Sequence, residues 1–396
     1  AGCGADSMVP WRCLLCVAGL AEALGQLLET EDMYLPQTRR QVVRVDTSML
    51  VFTENESVRC TLSDPSITAF HRKTIAADGC PPRIGVEQEI DRTYPIRLVT
   101  DLDLKSRDPQ DFIWRSYLQQ GRILRSRTNR FTVLWDEQRE LKSHTAYKNR
   151  SMELSELVTY NRLLLAMCDI SGLVYKIDPR TGAVFQRWAL ADGDGDETKP
   201  FKGEWATAKD NKLWIGSIGL EWYSPNGTIM HRNAEWVKVI DLDGQILNVN
   251  WHPVYTALRT ATNTTLPGYL WHEAVHWDPL TRRWIFTPRR ESVDTQYCPS
   301  HEDKMTSDLL IIANEDFSNI TTKRIEDMSP EFGITSVRKL PGSIDTYVAL
   351  RVKEAKSGCF TQIGVFNLDG VMLTDPSWID VGPMKYEGLE VDTVDR

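Results

Sequence analysis

The amino-acid sequence predicts an all-β protein built as a five-bladed β-propeller. From Tyr94 onward, short runs rich in Val, Ile, Leu, Trp and Tyr alternate with turns rich in Gly, Asn, Asp and Pro, the pattern of successive strands. These runs group into fours, and one acidic or hydroxyl-bearing residue recurs in each group. A β-sandwich with long loops is the alternative that fits the strand pattern alone.

Four groups of four predicted strands follow one another along the chain. The first two groups comprise residues 157–160, 163–167, 172–177 and 183–189, then 205–209, 212–218, 221–224 and 236–240. The next two comprise residues 274–278, 284–287, 308–313 and 320–324, then 336–340, 346–352, 362–367 and 371–374. A fifth group joins residues 96–101, 122–126 and 131–137 to the last run, 387–391. This return of the chain closes the ring and removes exposed sheet edges.

One oxygen-bearing side chain stands just before or at the start of a strand in each of five places. The five are Ser155, Glu204, Glu273, Ser336 and Glu387, separated by 49, 69, 63 and 51 residues. In a closed ring these positions share one axis, where three carboxylates repel one another unless a cation neutralises them. Oxygen ligands suit a hard cation such as Ca²⁺, so the sequence predicts a central calcium site.

Composition and motifs exclude several classes of function. The chain has 396 residues, 41% hydrophobic and 26% charged, which is ordinary for a soluble globular protein. A net charge of −9 argues against nucleic acid as a partner. The sequence holds no GxxxxGK[ST], GxGxxG, HExxH or GxSxG motif. The acidic run at residues 192–196 fails as an EF-hand, because Glu197 stands where Gly is needed and Gly203 where Glu is needed.

The first 25 residues resemble a secretory leader. An apolar run follows Arg12, and Ala21-Glu22-Ala23 matches a small-x-small cleavage site. A short amphipathic helix is the alternative. We therefore expect a leader at 1–25, an N-terminal extension at 26–92 and the propeller at 93–396. Glycosylation sequons support the secretory route and lie at Asn55, Asn149, Asn226, Asn263 and Asn319.

Five cysteines follow the leader, and an odd number permits at most two disulfides. Cys60 and Cys80 form the easiest local pair, and Cys298–Cys359 is a second plausible pair. Cys168 lies in an apolar strand and is the candidate free thiol, although a small buried hydrophobe is the simpler interpretation.

Two polar groups follow apolar strands in positions suited to chemistry. Asp101 and Asp103 end the run that begins at Ile96, where an Asp is often only a turn former. Arg289 and Arg290 follow the run at 284–288. Adjacent strand residues point to opposite faces, so at most one of the two arginines would enter a given site and bind a phosphate in bidentate fashion.

Ordered motifs along the chain resemble the calcium-activated nucleotidase family, which includes secreted salivary apyrases and a vertebrate secretory-pathway nucleotidase. Examples are Met152-Glu153-Leu154-Ser155 and Lys385-Tyr386-Glu387-Gly388. The other matching segments are residues 100–103, 192–195, 201–205, 221–227, 235–239, 267–273 and 288–290. The resemblance extends from Tyr94 to Val391 and implies a five-bladed propeller with a central Ca²⁺.

The resemblance implies roles for individual residues. It surrounds the calcium with Ser155, Glu156, Glu204, Glu273, Ser336 and Glu387. Asp101 and Asp169 would be the catalytic acids near the terminal phosphate, outside this repeating set. Arg289 and Asp103 would contact the substrate, and Trp222 would stack on the base unless it is a core residue.

The implied activity is Ca²⁺-dependent hydrolysis of nucleoside di- and triphosphates, with water attacking the terminal phosphate. The chain departs from the family pattern at Cys168 and Ile170, beside Asp169, and at Leu220 and Ala274. Alternatives are a secretory-pathway UDP/GDP diphosphatase that supports glycosylation and a non-catalytic, calcium-stapled binding module. We expect a secreted monomer or weak homodimer without stable membrane insertion after leader removal, or a resident of the ER or Golgi lumen.

Overall fold

The computed structural model describes residues 89–224, 227–298, 305–355 and 358–392. The predicted leader, almost all of the predicted N-terminal extension, Cys60, Cys80 and the sequons at Asn55 and Asn226 lie outside these residues. The boundaries proposed at residues 25 and 92 therefore stay predictions.

The described chain forms five antiparallel four-stranded sheets, here called blades 1 to 5. Blade 1 consists of β1 (Ile90–Thr100), β2 (Trp114–Ser126), β3 (Phe131–Ser143) and β24 (Tyr386–Val391), and blade 2 of β4 (Leu154–Tyr160), β5 (Leu163–Cys168), β6 (Leu173–Ile177) and β7 (Val184–Ala189). Blade 3 consists of β8 (Trp205–Lys209), β9 (Lys212–Gly216), β12 (Trp236–Ile240) and β13 (Ile246–Asn250). Blade 4 consists of β15 (Val275–Asp278), β16 (Arg283–Phe286), β18 (Leu309–Asn314) and β19 (Ile320–Arg324), and blade 5 of β20 (Gly333–Lys339), β21 (Thr346–Ala355), β22 (Gly358–Asn367) and β23 (Ile379–Gly382).

Smaller elements connect the blades. Two short two-stranded sheets pair β10 (Trp222–Tyr223) with β11 (Ile229–His231) and β14 (Tyr269–Trp271) with β17 (Arg290–Ser292). Helix α1 (His252–Thr262) follows blade 3, with a proline in its first turn and Asn263 ending it in the left-handed conformation.

The five innermost strands close a ring, which confirms the predicted five-bladed propeller. Strand β4 contacts β8, β8 contacts β15, β15 contacts β20, β20 contacts β24, and β24 contacts β4. Strand β24 pairs antiparallel with β1, so the last strand of the chain completes the first blade, as predicted. All residues of β4 but Thr159 and all residues of β24 are buried, as expected for strands covered on both faces.

Two predicted strands, the third of blade 3 and the fourth of blade 5, are wrong. Residues 221–224 belong to the excursion that contains β10, and the outer strand of blade 3 is β13. In blade 5, residues near Met372 form only isolated bridges, and β23 is the outer strand. An outer strand pairs along one edge and exposes half of its side chains, so its apolar pattern is weak. The run chosen in blade 5 instead contains the buried side chains of Met372 and Thr374, whereas Trp222 in the run chosen in blade 3 is exposed.

The hydrophobic core lies between neighbouring blades. The largest cluster packs Trp205 of blade 3 against Trp277 and Trp284 of blade 4, with Trp251 between them. The ring centroids of Trp251 and Trp284 lie 5.2 Å apart in an edge-on contact. Aromatic packing of this kind holds each blade to the next and keeps the loops at the ends of the ring in fixed positions.

The cysteines give one confirmed prediction and one correction. Cys168 is a buried free thiol, as predicted. Cys298 is disulfide-bonded, but Cys359 is free and lies opposite Glu354 in the β21–β22 ladder, so the predicted Cys298–Cys359 pair is wrong. Sequence spacing alone carries no information on the distance between two thiols. Within the described ranges, helices are too short or too polar to span a bilayer.

Candidate active site

The candidate site lies at the face of the propeller where each innermost strand begins, here called the acidic face. Antiparallel pairing places the end of each second strand at this same face. The residues at or near the innermost strand starts are Ser155, Glu204, Glu273, Ser336 and Glu387. Near the second strand ends are Asp101, Asp169, Arg289 and Glu354, and Trp222 lies beyond the end of β9. Asp101 and Asp169 thus belong to a second repeat that the sequence analysis did not recognise.

Irregular strand pairing leaves two of the predicted metal ligands without a partner residue in the neighbouring strand. Leu154 and Glu156 each pair with a residue of β5, whereas Ser155, which lies between them, has no partner in that strand. Glu387 similarly falls between the residues of β24 that pair with β1. Bulges of this kind re-aim side chains next to functional sites. They bring Ser155 Oγ to 3.4 Å from Glu387 Oε2, so that blades 1 and 2 meet at the axis.

Shared cations hold the buried carboxylates in pairs. Lys202 Nζ lies 2.5 Å from Asp169 Oδ2 and also contacts Glu204 Oε1. Arg289 Nη1 lies 2.5 Å from Glu273 Oε2 and 3.0 Å from Glu387 Oε1. Lys202 therefore links blade 2 to blade 3, whereas Arg289 links blade 4 to blade 1 across the acidic face.

Lys385 is the third such cation. Its Nζ lies 2.8 Å from Asp101 Oδ2 and 3.4 Å from both Asp103 Oδ1 and Glu387 Oε1. Asp101 Oδ1 accepts a hydrogen bond of 2.8 Å from the Asp103 backbone N–H. Burial raises the pKa of Asp101, but the Lys385 ammonium and these hydrogen bonds lower it more, so the pKa lies below its ordinary value.

Asp169 is placed differently from Asp101. Its Oδ2 accepts from Lys202, whereas its Oδ1 is buried and has no hydrogen-bond partner among the residues that the structure describes. Burial raises the pKa of Asp169, Lys202 opposes that rise, and the negative charge of Asp101 adds to it. The pKa of Asp169 therefore lies above its ordinary value, and one oxygen is available to a ligand or a water.

Glu153 adds a carboxylate that the sequence analysis did not assign to the site. It is fully buried, and Arg150 Nε donates to its Oε1 at 2.9 Å. Single carboxylate oxygens of Asp101, Asp103 and Glu153 lie within 4.8 Å of one another. Burial, only partly offset by Arg150, raises the pKa of Glu153 to about 7.

Glu156 and Ser336 form a separate group inside the ring. Ser336 Oγ donates to Glu156 Oε1 at 2.9 Å, and Arg338 Nη2 lies 3.0 Å from Glu156 Oε2. Ser155 and Glu156 are successive strand residues and point in different directions. The structure thus brings Ser155, Glu204, Glu273 and Glu387 to the shared-cation network, while Glu156 contacts Arg338.

The donor chemistry of the acidic face fits a hard cation. Its carboxylates outnumber the basic side chains that contact them; the acids are Asp101, Asp103, Glu153, Asp169, Glu204, Glu273, Glu354 and Glu387, and the bases are Arg150, Lys202, Arg289 and Lys385. Burial raises the pKa of Glu204 to about 7 despite Lys202, and it raises that of Glu387 well above its ordinary value. Buried carboxylates with an uncompensated charge are the oxygen donors that Ca²⁺ prefers.

Two cations were missed although the sequence carries a signal for them. Lys202 precedes Glu204 by two residues, and Lys385 precedes Glu387 by two residues. Residues two apart on an extended segment share a face, so the Lys side chain lies beside the Glu side chain. A recurring Lys-x-Glu at the innermost strand starts would have identified both.

Trp222 does not join this network. It is 42% exposed on β10, with Lys199 Nζ 5.4 Å from its ring centroid and His231 beside it. This exposure excludes the alternative that Trp222 is a core residue.

Comparison with known proteins identifies the family. The family model described as "Apyrase" matches residues 102–392, well over half of the chain. The chain belongs to the apyrase family.

Curated relatives agree with this assignment. The chain is 37% identical over 301 residues to "Soluble calcium-activated nucleotidase 1" of Mus musculus, covering 75% of this chain and 73% of the relative. It is 34% identical over 324 residues to "Apyrase" of Cimex lectularius, covering 80% and 88% respectively. "Apyrase" of Phlebotomus duboscqi is 31% identical over 301 residues, with 75% and 88% covered.

A cleft opens beside the acidic face of this apyrase. It has a volume of about 760 Å³ and is lined at one end by Asp101, Asp103 and Lys385. Phe332 and Phe360 also line it. The cleft gives a polyatomic ligand room to approach the acids from the side of blades 1 and 5.

Proposed function

We propose that this apyrase hydrolyses nucleoside di- and triphosphates in a Ca²⁺-dependent reaction that releases inorganic phosphate. One structural observation carries the proposal. Asp101 and Asp169 lie on one face with a ring of buried carboxylates whose charge the local cations do not balance. The names of the relatives, an apyrase and a calcium-activated nucleotidase, support the same activity.

The carboxylates of Glu204, Glu273 and Glu387 would hold Ca²⁺ together with oxygens of Ser155 and Ser336. Bound there, Ca²⁺ supplies positive charge that offsets the charge of the phosphate oxygens. Glu156 was included with the ligands on sequence grounds. We propose that it orients Ser336 through their 2.9 Å hydrogen bond.

We propose Asp169 as the general base that accepts a proton from the attacking water. Both oxygens of Asp101 already accept hydrogen bonds, and its pKa is lowered. Asp169 retains an unpartnered buried oxygen, and its raised pKa makes it the stronger base. In this proposal Asp101 has a positioning role: its two hydrogen bonds hold the Lys385 ammonium and the backbone of Asp103 in place.

The basic side chains on this face would bind the phosphates. Hydrolysis of a phosphoanhydride depends on alignment and charge stabilisation more than on covalent chemistry. Lys202 and Lys385 each reach two or more carboxylates and would exchange one of them for a phosphate oxygen, with Arg289 fixing the geometry of Glu273 and Glu387. Trp222, as an exposed aromatic ring, would stack on the base, and Asp103 would line the approach.

The test measures phosphate release from ATP, ADP, UDP and GDP by the purified chain, with Ca²⁺ and with a chelator. We expect release with Ca²⁺ and none after chelation. Preference for UDP and GDP over ATP and ADP would favour a diphosphatase that supports glycosylation. Absence of release from all four nucleotides would overturn the enzymatic proposal in favour of a non-catalytic calcium-stapled binding module.

We further propose that the protein is secreted and glycosylated as a monomer or weak homodimer. Asn149, Asn263 and Asn319 are exposed, as oligosaccharide transfer requires. Glycosidase treatment of protein collected from the medium of expressing cells should increase its gel mobility. Retention inside the cells would support the lumen of the ER or Golgi instead.

A further inference from the structure

A second large cleft lies at the face of the propeller opposite the acidic face. It has a volume of about 1030 Å³ and lies between blades 1 and 2. Arg162 marks its position, because it lies in the turn that joins the far end of β4 to the start of β5. Strand residues rise about 3.3 Å each, so this turn lies roughly 20 Å from Asp169 at the other end of β5. The cleft, here called the basal cleft, is therefore separate from the candidate active site.

The basal cleft is positive on a chain with a net charge of −9. Its charged lining residues are Arg97, Arg162, Lys176, Arg180, Asp178 and Asp392. Both acids are already engaged: Asp392 pairs with Arg97, and Asp178 Oδ1 accepts from the backbone N–H of Arg180 at 2.9 Å. Among the residues that the structure describes, Arg162 and Lys176 form no ion pair, which leaves two cations available to an anion.

The backbone at Arg162 is unusual for an arginine. Asn161 and Arg162 have φ of 48° and 62°, the left-handed region of a tight hairpin turn. The corresponding turn of blade 3 has Asn211 at the second position, with φ of 59°. Asparagine and glycine suit this conformation, whereas a long side chain is unfavourable there.

Arg282 offers an internal comparison. It also has a left-handed backbone, with φ of 51°, in the turn between β15 and β16. Its guanidinium is held by Glu315 at 2.6 Å and by Asp210 at 3.3 Å. Arg162 has the same unfavourable backbone without such partners within the described chain. Strained backbone of this kind tends to mark functional positions, and here it directs a cation to the cleft.

Phe185 completes the lining and narrows the choice of ligand. Its ring is 53% exposed, and Lys176 Nζ lies 5.5 Å from the ring centroid. Single-stranded nucleic acids use several aromatic platforms along a basic groove, but Phe185 is the one aromatic ring in this lining. A sugar ring packed on one aromatic side chain, with its anionic groups at the surrounding cations, fits the cleft better.

We propose that the basal cleft binds a sulfated polysaccharide. Its sulfate groups contact Arg162, Lys176 and Arg180, and one sugar ring lies against Phe185. The chain as a whole is negatively charged and repels a polyanion, so the contact is limited to the cleft. Binding is therefore local and sensitive to salt. The inference does not depend on the proposed hydrolase activity, since it uses no residue of the acidic face.

The test is a calorimetric titration of the full chain with a size-defined heparin oligosaccharide at low salt and with a calcium chelator. The variants are Arg162→Asn, which keeps a residue suited to the turn, and Arg162→Asn combined with Lys176→Gln. Lys212→Gln is the matched control, because Lys212 is an exposed cation at the start of β9, on the same face, and forms no ion pair within the described residues. Losing one exposed charge contact should weaken binding about fivefold, and losing both about twentyfold. The control should stay within about twofold of the unchanged chain.

Three results would overturn the proposal. They are no binding of the oligosaccharide, an equal loss in Lys212→Gln, and tighter binding of a single-stranded oligonucleotide or an anionic vesicle of matched charge. We expect nucleotide hydrolysis to be unchanged in Arg162→Asn. If the Arg162 and Lys176 variants lose affinity as expected but no protein, the unchanged chain included, releases phosphate, the proposed activity fails and this inference stands.

Discussion

Single side chains on the acidic face work in groups of two or more carboxylates around one cation. Lys202 serves Asp169 and Glu204, and Arg289 serves Glu273 and Glu387. A change at one member therefore alters the charge that its neighbours experience. The role of a residue here is best tested by a substitution that keeps its shape.

The first prediction concerns the proposed general base. Asp169→Asn keeps the size of the side chain but removes the proton acceptor, so we expect kcat to fall by about 10²- to 10⁴-fold. Calcium affinity, measured by calorimetry, should be retained because Glu273 and Glu387 are unchanged. Asp136→Asn, at an exposed ion pair of blade 1, is the control and should keep full activity. Substantial hydrolysis by purified Asp169→Asn would rule out this role.

At this scale the sequence predicted which acids recur but not which basic groups accompany them. The oxygen-bearing residues stood out because one, a carboxylate or a serine, occurs in every predicted blade. Lys202 and Lys385 looked like ordinary surface lysines, since burial is a property of the closed ring. The difference between Asp101 and Asp169 was equally inaccessible, because it depends on which oxygen each cation contacts.

Among the secondary-structure elements, the innermost strands are the most constrained and the outer strands the least. Leu389 of β24 is fully buried, whereas Leu134 of β3 in the same blade is 39% exposed. This gradient explains which strands the sequence predicted correctly. Middle strands such as β5 and β18 read as nearly continuous apolar runs, and outer strands such as β13 and β23 do not.

The second prediction uses this decrease in burial from the innermost strand to the outermost strand of a blade. Leu389→Ala should lower the free energy of unfolding by about 3 kcal/mol, because it leaves a cavity where blade 1 closes. Leu134→Ala removes the same atoms from a partly exposed site and should cost well under half as much. Urea denaturation of both variants provides the comparison. Equal losses would show that β24 is not the critical element of closure.

Across the whole molecule, one buried ion pair connects most of the ring. Arg338 of blade 5 contacts Glu156 and donates to the backbone oxygens of Leu157 and Ala206, at 2.7 and 3.1 Å. The backbone N–H of Leu389 lies 3.4 Å from Glu156 Oε1. The pair thus joins blades 1, 2, 3 and 5 below the acidic face.

The third prediction follows from the protonation of this pair. Burial, partly offset by Arg338, raises the pKa of Glu156 from 4.5 to about 7. Between these values the folded protein binds a proton that the unfolded chain has lost, so stability falls as pH rises through this window. The loss amounts to about 3 kcal/mol in total.

Glu156→Gln cannot ionise, so its stability should decline less between pH 5 and pH 8 than that of the unchanged chain. The measurement is urea denaturation at both pH values in the presence of a calcium chelator. Glu137→Gln, at an exposed position of β3, should show the same decline in stability between the two pH values as the unchanged chain. An identical decline in Glu156→Gln would show that other groups are responsible.

The pairing of β24 with β1 also determines when the protein can mature during its synthesis. Among the described strands the ribosome makes β1 first, yet its inner partner β24 emerges only after β2 to β23. Glu387 and Lys385 arrive with that strand, so a nascent chain lacks both until β24 has been made. Domains otherwise tend to fold progressively from the N-terminal end. A stalled or truncated polypeptide would therefore display an unpaired β1 edge to chaperones and would have no completed acidic face.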